Sequence, residues 1–310
     1  MSLLPAFRAI IDVAAAQPVA LWDMPIADAR RSAEAGAIFL AGGESESVGS
    51  VRDRTIPGPA GPMPVRVYQP EGYGPHGVLV YFHGGGYVIC SLDTHDALCR
   101  QLCNRGHCVV VSVAYRLAPE HPFPAGIDDA IAATQWVQDN AAEVNGDRAR
   151  VAVGGDSAGA NFAAVGALAN RDDRRPRLAL QMLLYPGTDR RGGYPSLAEN
   201  GQGYLLSAEM RQWFGQCYIP AGTDITDWRL SPMCAPTLAS VAPAVVVTAE
   251  FDPLRDEGDA YAARLAEAGA LVEHRQVPGV MHGFLQYSGL VPEAKAELDT
   301  IGALLRRALA

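Results

Sequence analysis

From residue 48 onward, short apolar runs alternate with longer segments whose apolar residues recur every three or four positions. Extended runs fall near 48–56, 64–69 (PVRVYQ), 77–82 (GVLVYF), 108–113 (CVVVSV), 150–153 (RVAV), 178–184 (LALQMLL), 244–249 (AVVVTA) and 271–277 (LVEHRQV). Several later runs are continuous apolar blocks, which is how strands read when helices cover both faces. Helical periodicity occupies 93–105, 126–142, 158–170, 254–268 and 292–309, where Leu298, Ile301, Leu305 and Leu309 share one face. Alternation of this kind predicts an α/β chain with a mostly parallel, doubly wound sheet.

Two regions depart from the rhythm. Residues 1–45 read as two helices with no strong strand directly behind them. Leu4, Phe7, Ile11 and Ala14 form the stripe of the first, and the second spans about Ala27–Leu40 and stops at Gly42-Gly43. Residues 187–235 hold no good strand, only a loop and a helix capped by Ser207 that carries Trp213, Phe214 and Cys217. An insertion of that length between core strands is more often a lid over a site than an edge decoration. The expected organisation is therefore a core of 46–186 and 236–310, with 1–45 and 187–235 forming a cap.

Composition narrows the function. Hydrophobic residues make up 49% of the 310-residue chain and charged residues 19%, so a large globular core is available. The net charge is −9 with no basic tract, which argues against a nucleic-acid partner. Lys295 is the single lysine. A Ser–Lys mechanism, a Schiff base and a phosphate-cradling lysine loop therefore have no reagent. Cys90, Cys99, Cys103, Cys108, Cys217 and Cys234 match no disulfide scaffold and read as reduced thiols of a cytoplasmic protein. His95, Cys99 and Cys103 would share a helix face but lack a fourth ligand, so no metal is expected. The segment MSLLPAFRAIIDVAAAQ has no positive charge ahead of its apolar part, and Arg8 and Asp12 interrupt it, unlike a signal peptide. No apolar run is long enough for a membrane span.

The chemistry lies in RVAVGGDSAGAN. A strand ends, Gly155-Asp156-Ser157-Ala158-Gly159 follows, and a helix opens. This is G-x-S-x-G in strand–turn–helix context, where a tight turn lifts the serine above the sheet. A serine hydroxyl needs a base, and in this arrangement the acid and then the histidine follow the serine in the chain. His274 lies within a strand pattern, whereas His282, in GVMHGF, lies on a loop after the last strand. His282 is the expected base and His274 the alternative. Asp252 stands at the carboxyl end of the preceding strand and is the expected acid, ahead of Glu250, Asp256 and Glu257. The glycines of VYFHGGGYV follow a strand end. Gly84 and Gly85, with the N–H of Ala158, are the expected oxyanion donors, and His83 is expected to hold the glycine loop. In AYRLAPEHPFPA, three prolines predict a rigid connection with some cis character, and Glu120 and His121 read as surface or structural residues.

Together, HGGGYVICSLDTHDALCRQL, YRLAPEHPFPA, GGDSAGAN, ENGQGYLLS, DPLRDEG and MHGF, in this order, resemble the hormone-sensitive-lipase-like, bacterial carboxylesterase family of α/β-hydrolases, in its GDSAG subgroup. The resemblance covers most of the chain. It implies an eight-stranded α/β-hydrolase core with a helical cap, and the same triad and oxyanion residues. It also implies a serine carboxylesterase acting without cofactor on short- to medium-chain acyl esters, with a homodimer as the expected assembly. Tyr204, Leu205, Trp213 and Phe214 are the expected pocket residues. Two alternatives stay open: a catalytically weak ligand-binding protein on the same fold, and an amidase, lactonase or deacetylase using the same triad.

Overall fold

The computed structural model describes residues 2–16, 19–40 and 45–310. The elements are, in order, α1 (Pro5–Ala15), α2 (Ile26–Leu40), β1 (Ser50–Gly58), β2 (Gly61–Gln69), β3 (His76–Phe82), α3 (Asp96–Gly106), β4 (Val109–Val113) and α4 (Ala125–Asn140). Then follow β5 (Gly146–Asp156), α5 (Ala158–Asp172), β6 (Leu180–Leu184), α6 (Pro195–Glu199), α7 (Ala208–Tyr218), β7 (Ala244–Phe251), α8 (Arg255–Glu267), β8 (Leu271–Met281) and α9 (Pro292–Ala308). The expected glycine stop of the second helix, Gly42-Gly43, lies outside the described residues.

The strands form one eight-stranded sheet in the order β1-β2-β4-β3-β5-β6-β7-β8. The β1–β2 and β2–β4 pairings are antiparallel, and every pairing from β4 to β8 is parallel. This is the mostly parallel, doubly wound α/β sheet that the alternation predicts. Its two faces can be read from β3. Val78, Val80 and Phe82 join a cluster with Ile127, Phe162 and Tyr261 of α4, α5 and α8. Leu79 and Tyr81 join the opposite cluster, with Leu98, Leu298 and Phe7 of α3, α9 and α1. Period-two alternation thus feeds two apolar layers at once, and each fully buried large side chain contributes about 1.5–3 kcal/mol relative to exposure. The β8 strand alternates half-buried and exposed positions along its first part, as befits an edge.

The two regions outside the rhythm pack where the sheet's carboxyl ends emerge. On α1, Phe7 is buried 6.0 Å from the Tyr287 ring, and Leu4 N–H donates to Gly279 O, close to the end of β8. From α2, Arg30 donates to Val88 O (2.8 Å) and Ala118 O (2.9 Å), and it pairs with Glu120. Ser91 Oγ–H donates to Glu34 at 2.7 Å. The segment behind the glycine run is therefore tied to α2. The 187–235 stretch carries the short α6, which the sequence pattern did not single out, and α7. Ser207 Oγ caps α7 by accepting the Met210 N–H (3.2 Å), which offsets one of the unsatisfied donors of its first turn. Its Phe214 and Tyr218 are buried in the same cluster as Phe162. In the proline-rich connection, Ala118-Pro119 and Phe123-Pro124 are cis. Among the described residues, no helix is long and apolar enough to cross a membrane.

Candidate active site

Ser157 sits between β5 and α5 with φ 55° and ψ −116°, a left-handed backbone that a non-glycine residue adopts only under strain. The flanking glycines explain how so sharp a turn fits. A Cβ on Gly159 would lie 1.9 Å from Phe82 O, and one on Gly155 would lie 2.4 Å from the Gly159 carbonyl carbon. With both absent, α5 starts directly against β3, and the Ser157 N–H donates to Leu184 O (2.8 Å). The hydroxyl then stands at the N-terminus of α5, whose dipole favours negative charge.

The side chains singled out in sequence come together here. Ser157 Oγ lies 2.8 Å from His282 Nε2, and His282 Nδ1–H donates to Asp252 Oδ2 at 2.7 Å. Asp252 is fully buried, and its Oδ1 accepts the Leu254 N–H (2.8 Å), which fixes the carboxylate plane. An acceptor at Nδ1 leaves the Nε2 lone pair facing the serine. Tyr185 stands edge-on to the imidazole at 5.1 Å, and Asn200 Nδ2 donates to Asp252 O (3.2 Å). Neither residue was singled out in sequence: Tyr185 follows β6 with no local motif, and Asn200 lies within ENGQGYLLS, a stretch that gave no role to its individual side chains.

The alternatives are engaged elsewhere. His274 Nε2 faces Asp259 Oδ1 at 2.9 Å on β8. Glu250 Oε2 accepts the Gly279 N–H, Asp256 accepts from Ser196 and Arg255, and Glu257 Oε1 accepts the Thr188 N–H. His95 faces Asp156 rather than completing a ligand set with Cys99 and Cys103, which lie buried on α3. Among the described residues, no group of three or more His, Cys, Asp or Glu side chains is arranged to hold a metal ion.

The glycine loop differs from expectation at one position. The Gly84 N–H does not point toward the serine; it donates to Asp156 Oδ1 at 3.0 Å. A donor bound to a buried carboxylate is not available to an oxyanion, so Gly84 leaves the set of expected donors. The N–H groups of Gly85 and Gly86, by contrast, have no acceptor among the described residues. Both glycines have positive φ, 110° and 59°. A Cβ on Gly85 would lie 2.3 Å from Ile89 O, and one on Gly86 would lie 2.3 Å from the Phe214 ring. Only glycine fits the loop at these two places.

A buried polar network holds the loop from below. Asp156 Oδ1 also accepts from Tyr81 Oη–H (2.7 Å) and lies 3.1 Å from His95 Nε2. Burial alone would raise the Asp156 carboxyl, but His95 and the Tyr81 hydroxyl outweigh it and hold it below the usual carboxylate range. His83 is buried, its Nδ1–H donates to Gly84 O (2.7 Å), and its ring stacks on Tyr115 at 4.3 Å. Burial, with His95 nearby, pushes the His83 pKa down to about 3, so the ring is neutral at pH 7. Tyr115 Oη–H donates to His83 O (2.6 Å). Of the four expected pocket residues, Phe214 lies against the glycine loop, and Trp213 lies 5.1 Å from Phe214. Tyr204 packs 5.5 Å from Phe251 at the end of β7, and Leu205 is half-buried in the same cluster.

Comparison with known proteins places this geometry in context. A family model described as the alpha/beta hydrolase fold matches residues 79–286. The carboxylic ester hydrolase LipN of Mycobacterium tuberculosis is 45% identical over 262 residues, 83% of this chain and 70% of that protein. The ethyl acetate hydrolase of Pseudomonas putida is 38% identical over 289 residues, 91% of this chain and 90% of that protein. The solved structure of a hyperthermophilic esterase from the archaeon Pyrobaculum calidifontis superposes with a TM-score of 0.94 at 39% identity, covering 99% of each chain.

Proposed function

Because this chain belongs to the hormone-sensitive-lipase-like family of α/β-hydrolases and is a carboxylic ester hydrolase, we propose that it works as a serine esterase through an acyl-enzyme on Ser157. The observation that carries this reading is the continuous chain Ser157 Oγ, His282 Nε2, His282 Nδ1, Asp252 Oδ2, at 2.8 and 2.7 Å.

Ser157 Oγ attacks the ester carbonyl carbon while His282 Nε2 takes the hydroxyl proton. The carbonyl oxygen becomes an oxyanion beside the N–H groups of Ala158, Gly85 and Gly86, each free of a competing acceptor among the described residues. Donors of this kind act in the transition state, where charge develops, and one is worth roughly 3–4 kcal/mol. Collapse of the intermediate expels the alcohol, which leaves with the proton held on His282. Water then attacks the acyl-enzyme with His282 again as base, giving the acid and restoring Ser157. Asp252 orients the imidazole and stabilises the imidazolium formed in each half-reaction. The described parts of residues 1–45, together with 187–235, form the cap over a core of 46–186 and 236–310. Phe214, Trp213, Tyr204 and Leu205 supply apolar walls suited to short- and medium-chain acyl groups.

The test is hydrolysis of p-nitrophenyl esters from acetate to laurate by the protein and by Ser157→Ala. The variant should lose at least about 10⁴-fold in kcat, with a maximum for the parent between acetate and octanoate. A variant that keeps a tenth of the parent rate refutes the mechanism. A maximum at laurate refutes the chain-length assignment.

A further inference from the structure

Two arginines beside this site carry charge that no carboxylate among the described residues meets at contact distance. Arg190, in the loop after β6, lies with its guanidinium carbon 5.1 Å over the Tyr87 ring. Arg211 is one turn before Phe214 on α7. Both are partly buried, and neither makes an ion pair among the described residues. Other half-buried arginines here do pair: Arg66 with Asp53, Arg105 with Glu46 and Arg116 with Asp129.

The acid nearest in influence to both is Glu257, at the start of α8. It is buried, its Oε1 accepts the Thr188 N–H (2.7 Å), and its Oε2 has no partner. Burial pushes its carboxyl up to about 7 against the pull of Arg211, Arg190 and the backbone donors, so near neutrality it is only a partial counter-charge. Asp252 also acts on Arg211, but its two oxygens are committed to His282 and to the Leu254 N–H. Tyr87 and Tyr218 stack at 3.9 Å; the Tyr87 hydroxyl lies beside Arg190, and the Tyr218 hydroxyl is buried with no hydrogen-bond partner among the described residues. The space between Tyr87, α7 and the start of α8 thus gathers two guanidinium groups and two phenols, with few acceptors to meet them.

That space adjoins the ester cleft. Phe214 lies against Gly86, and residues three apart on a helix share a face. Tyr87 directly follows Gly86, and Arg211 feels Asp252. We propose that Arg190 and Arg211 form an anion subsite of the cleft, and that the preferred substrate is an ester whose acyl or alcohol part carries a carboxylate. Guanidinium forks match a carboxylate with two parallel hydrogen bonds, and a partly buried cation without a partner is costly until one arrives. The inference rests on the esterase reading above.

Two substrate pairs, followed by pH-stat at low salt, test it: monomethyl adipate against methyl hexanoate, and 4-acetoxybutanoate against n-butyl acetate. In at least one pair the charged member should have a kcat/KM about tenfold or more above its neutral counterpart. Arg211→Gln and Arg190→Gln should each shrink that ratio about tenfold, chiefly through KM. Two results overturn the subsite: no advantage for the charged member in either pair, or an equal loss on charged and neutral esters, which would mean that the arginines only hold Glu257. Should Arg190→Gln fail to fold, the parent ratios and Arg211→Gln decide. Calorimetry of Ser157→Ala with monomethyl adipate separates this inference from its premise. Binding that Arg211→Gln abolishes in the Ser157→Ala background, with no turnover of any ester by the parent, supports the subsite and sinks the esterase mechanism. Turnover of neutral esters with no preference for charge sinks the subsite alone.

Discussion

Replacing Asp156 by Asn tests whether the carboxylate below the glycine loop serves catalysis or only stability. Its Oδ1 is met by Tyr81 Oη–H at 2.7 Å, Gly84 N–H at 3.0 Å and His95 Nε2 at 3.1 Å, and the carboxylate is buried. Asn keeps an oxygen of the same shape but removes the charge. A hydrogen bond to a charged group is worth about 1.5–3 kcal/mol and a neutral one about 0.5–1.5, so each contact loses about 1 kcal/mol. The amide NH₂ also replaces the oxygen facing His95 at 3.3 Å. The sum is about 3 kcal/mol, or about 5 °C in Tm for a chain of this length. The Gly84 contact is the one that sets the loop, because Gly85 and Gly86 follow it immediately. If their N–H groups shift off the oxyanion position, the loss approaches that of one donor, about 10²-fold in kcat, with KM changed less than about threefold. Melting curves and p-nitrophenyl butyrate kinetics read the two effects on one sample. Tyr81→Phe is the control: it removes a whole contact to the same oxygen without touching Gly84, and should cost about 1.5–3 kcal/mol of stability with little change in kcat. A kcat for Asp156→Asn within twofold of the parent, alongside the expected Tm drop, refutes the positioning argument.

Two further outcomes follow from single positions. Gly159→Ala places a Cβ 1.9 Å from a backbone oxygen of β3, which no side-chain rotation relieves; it should melt at least about 5 °C lower or fail to accumulate folded, and an unchanged Tm would contradict the close approach of α5 to Phe82. Glu257 gives a pH signature: its folded pKa of about 7 lies above the ordinary 4.5, so the folded state holds a proton that the unfolded chain releases. Its contribution to stability is therefore present below about 4.5 and lost as pH rises to about 7, with a slope of at most about 1.4 kcal/mol per pH unit. Glu257→Gln should flatten the corresponding part of the Tm–pH curve, and an identical curve would refute the assignment.

How far the sequence could carry these conclusions depends on the range of the interaction that decides each feature. The strands were legible because burial on both faces writes itself locally as an apolar block; the β3 and β4 strands are buried at every position. Boundaries were less so. The β8 strand runs to Met281 rather than 277, because its last residues are held by pairing with β7, and pairing leaves no local pattern. The elbow around Ser157 was legible for the same reason as the strands, since two glycines, one serine and a strand end suffice to specify it. The loop 84–86 was legible as a site but not in its detail. Three identical residues give no hint of which peptide turns where.

What orients that loop is a carboxylate 72 residues away in sequence, on a neighbouring parallel strand. In the register of β3 on β5, Phe82 stands opposite Gly155, so the residues that follow, His83-Gly84 and Asp156, meet just beyond the paired strands. The first glycine is therefore consumed as a tether, and the next two are presented. The residue that tethers the loop, Asp156, is joined covalently to Ser157. The proposed nucleophile and amide donors consequently share one mount at the carboxyl edge of the sheet, and displacement of either is transmitted to the other through a single side chain. Arg190 and Arg211 show the opposite case. They come from separate elements with no shared motif, and only the fold shows that two cations lie near Glu257 with no ion-pair partner of their own among the described residues. In this protein the machinery for bond cleavage is written in short contiguous motifs, because backbone geometry dictates it. The proposed anion subsite rests on Arg190 and Arg211, which converge from separate elements, and such convergence appears only once the chain is folded.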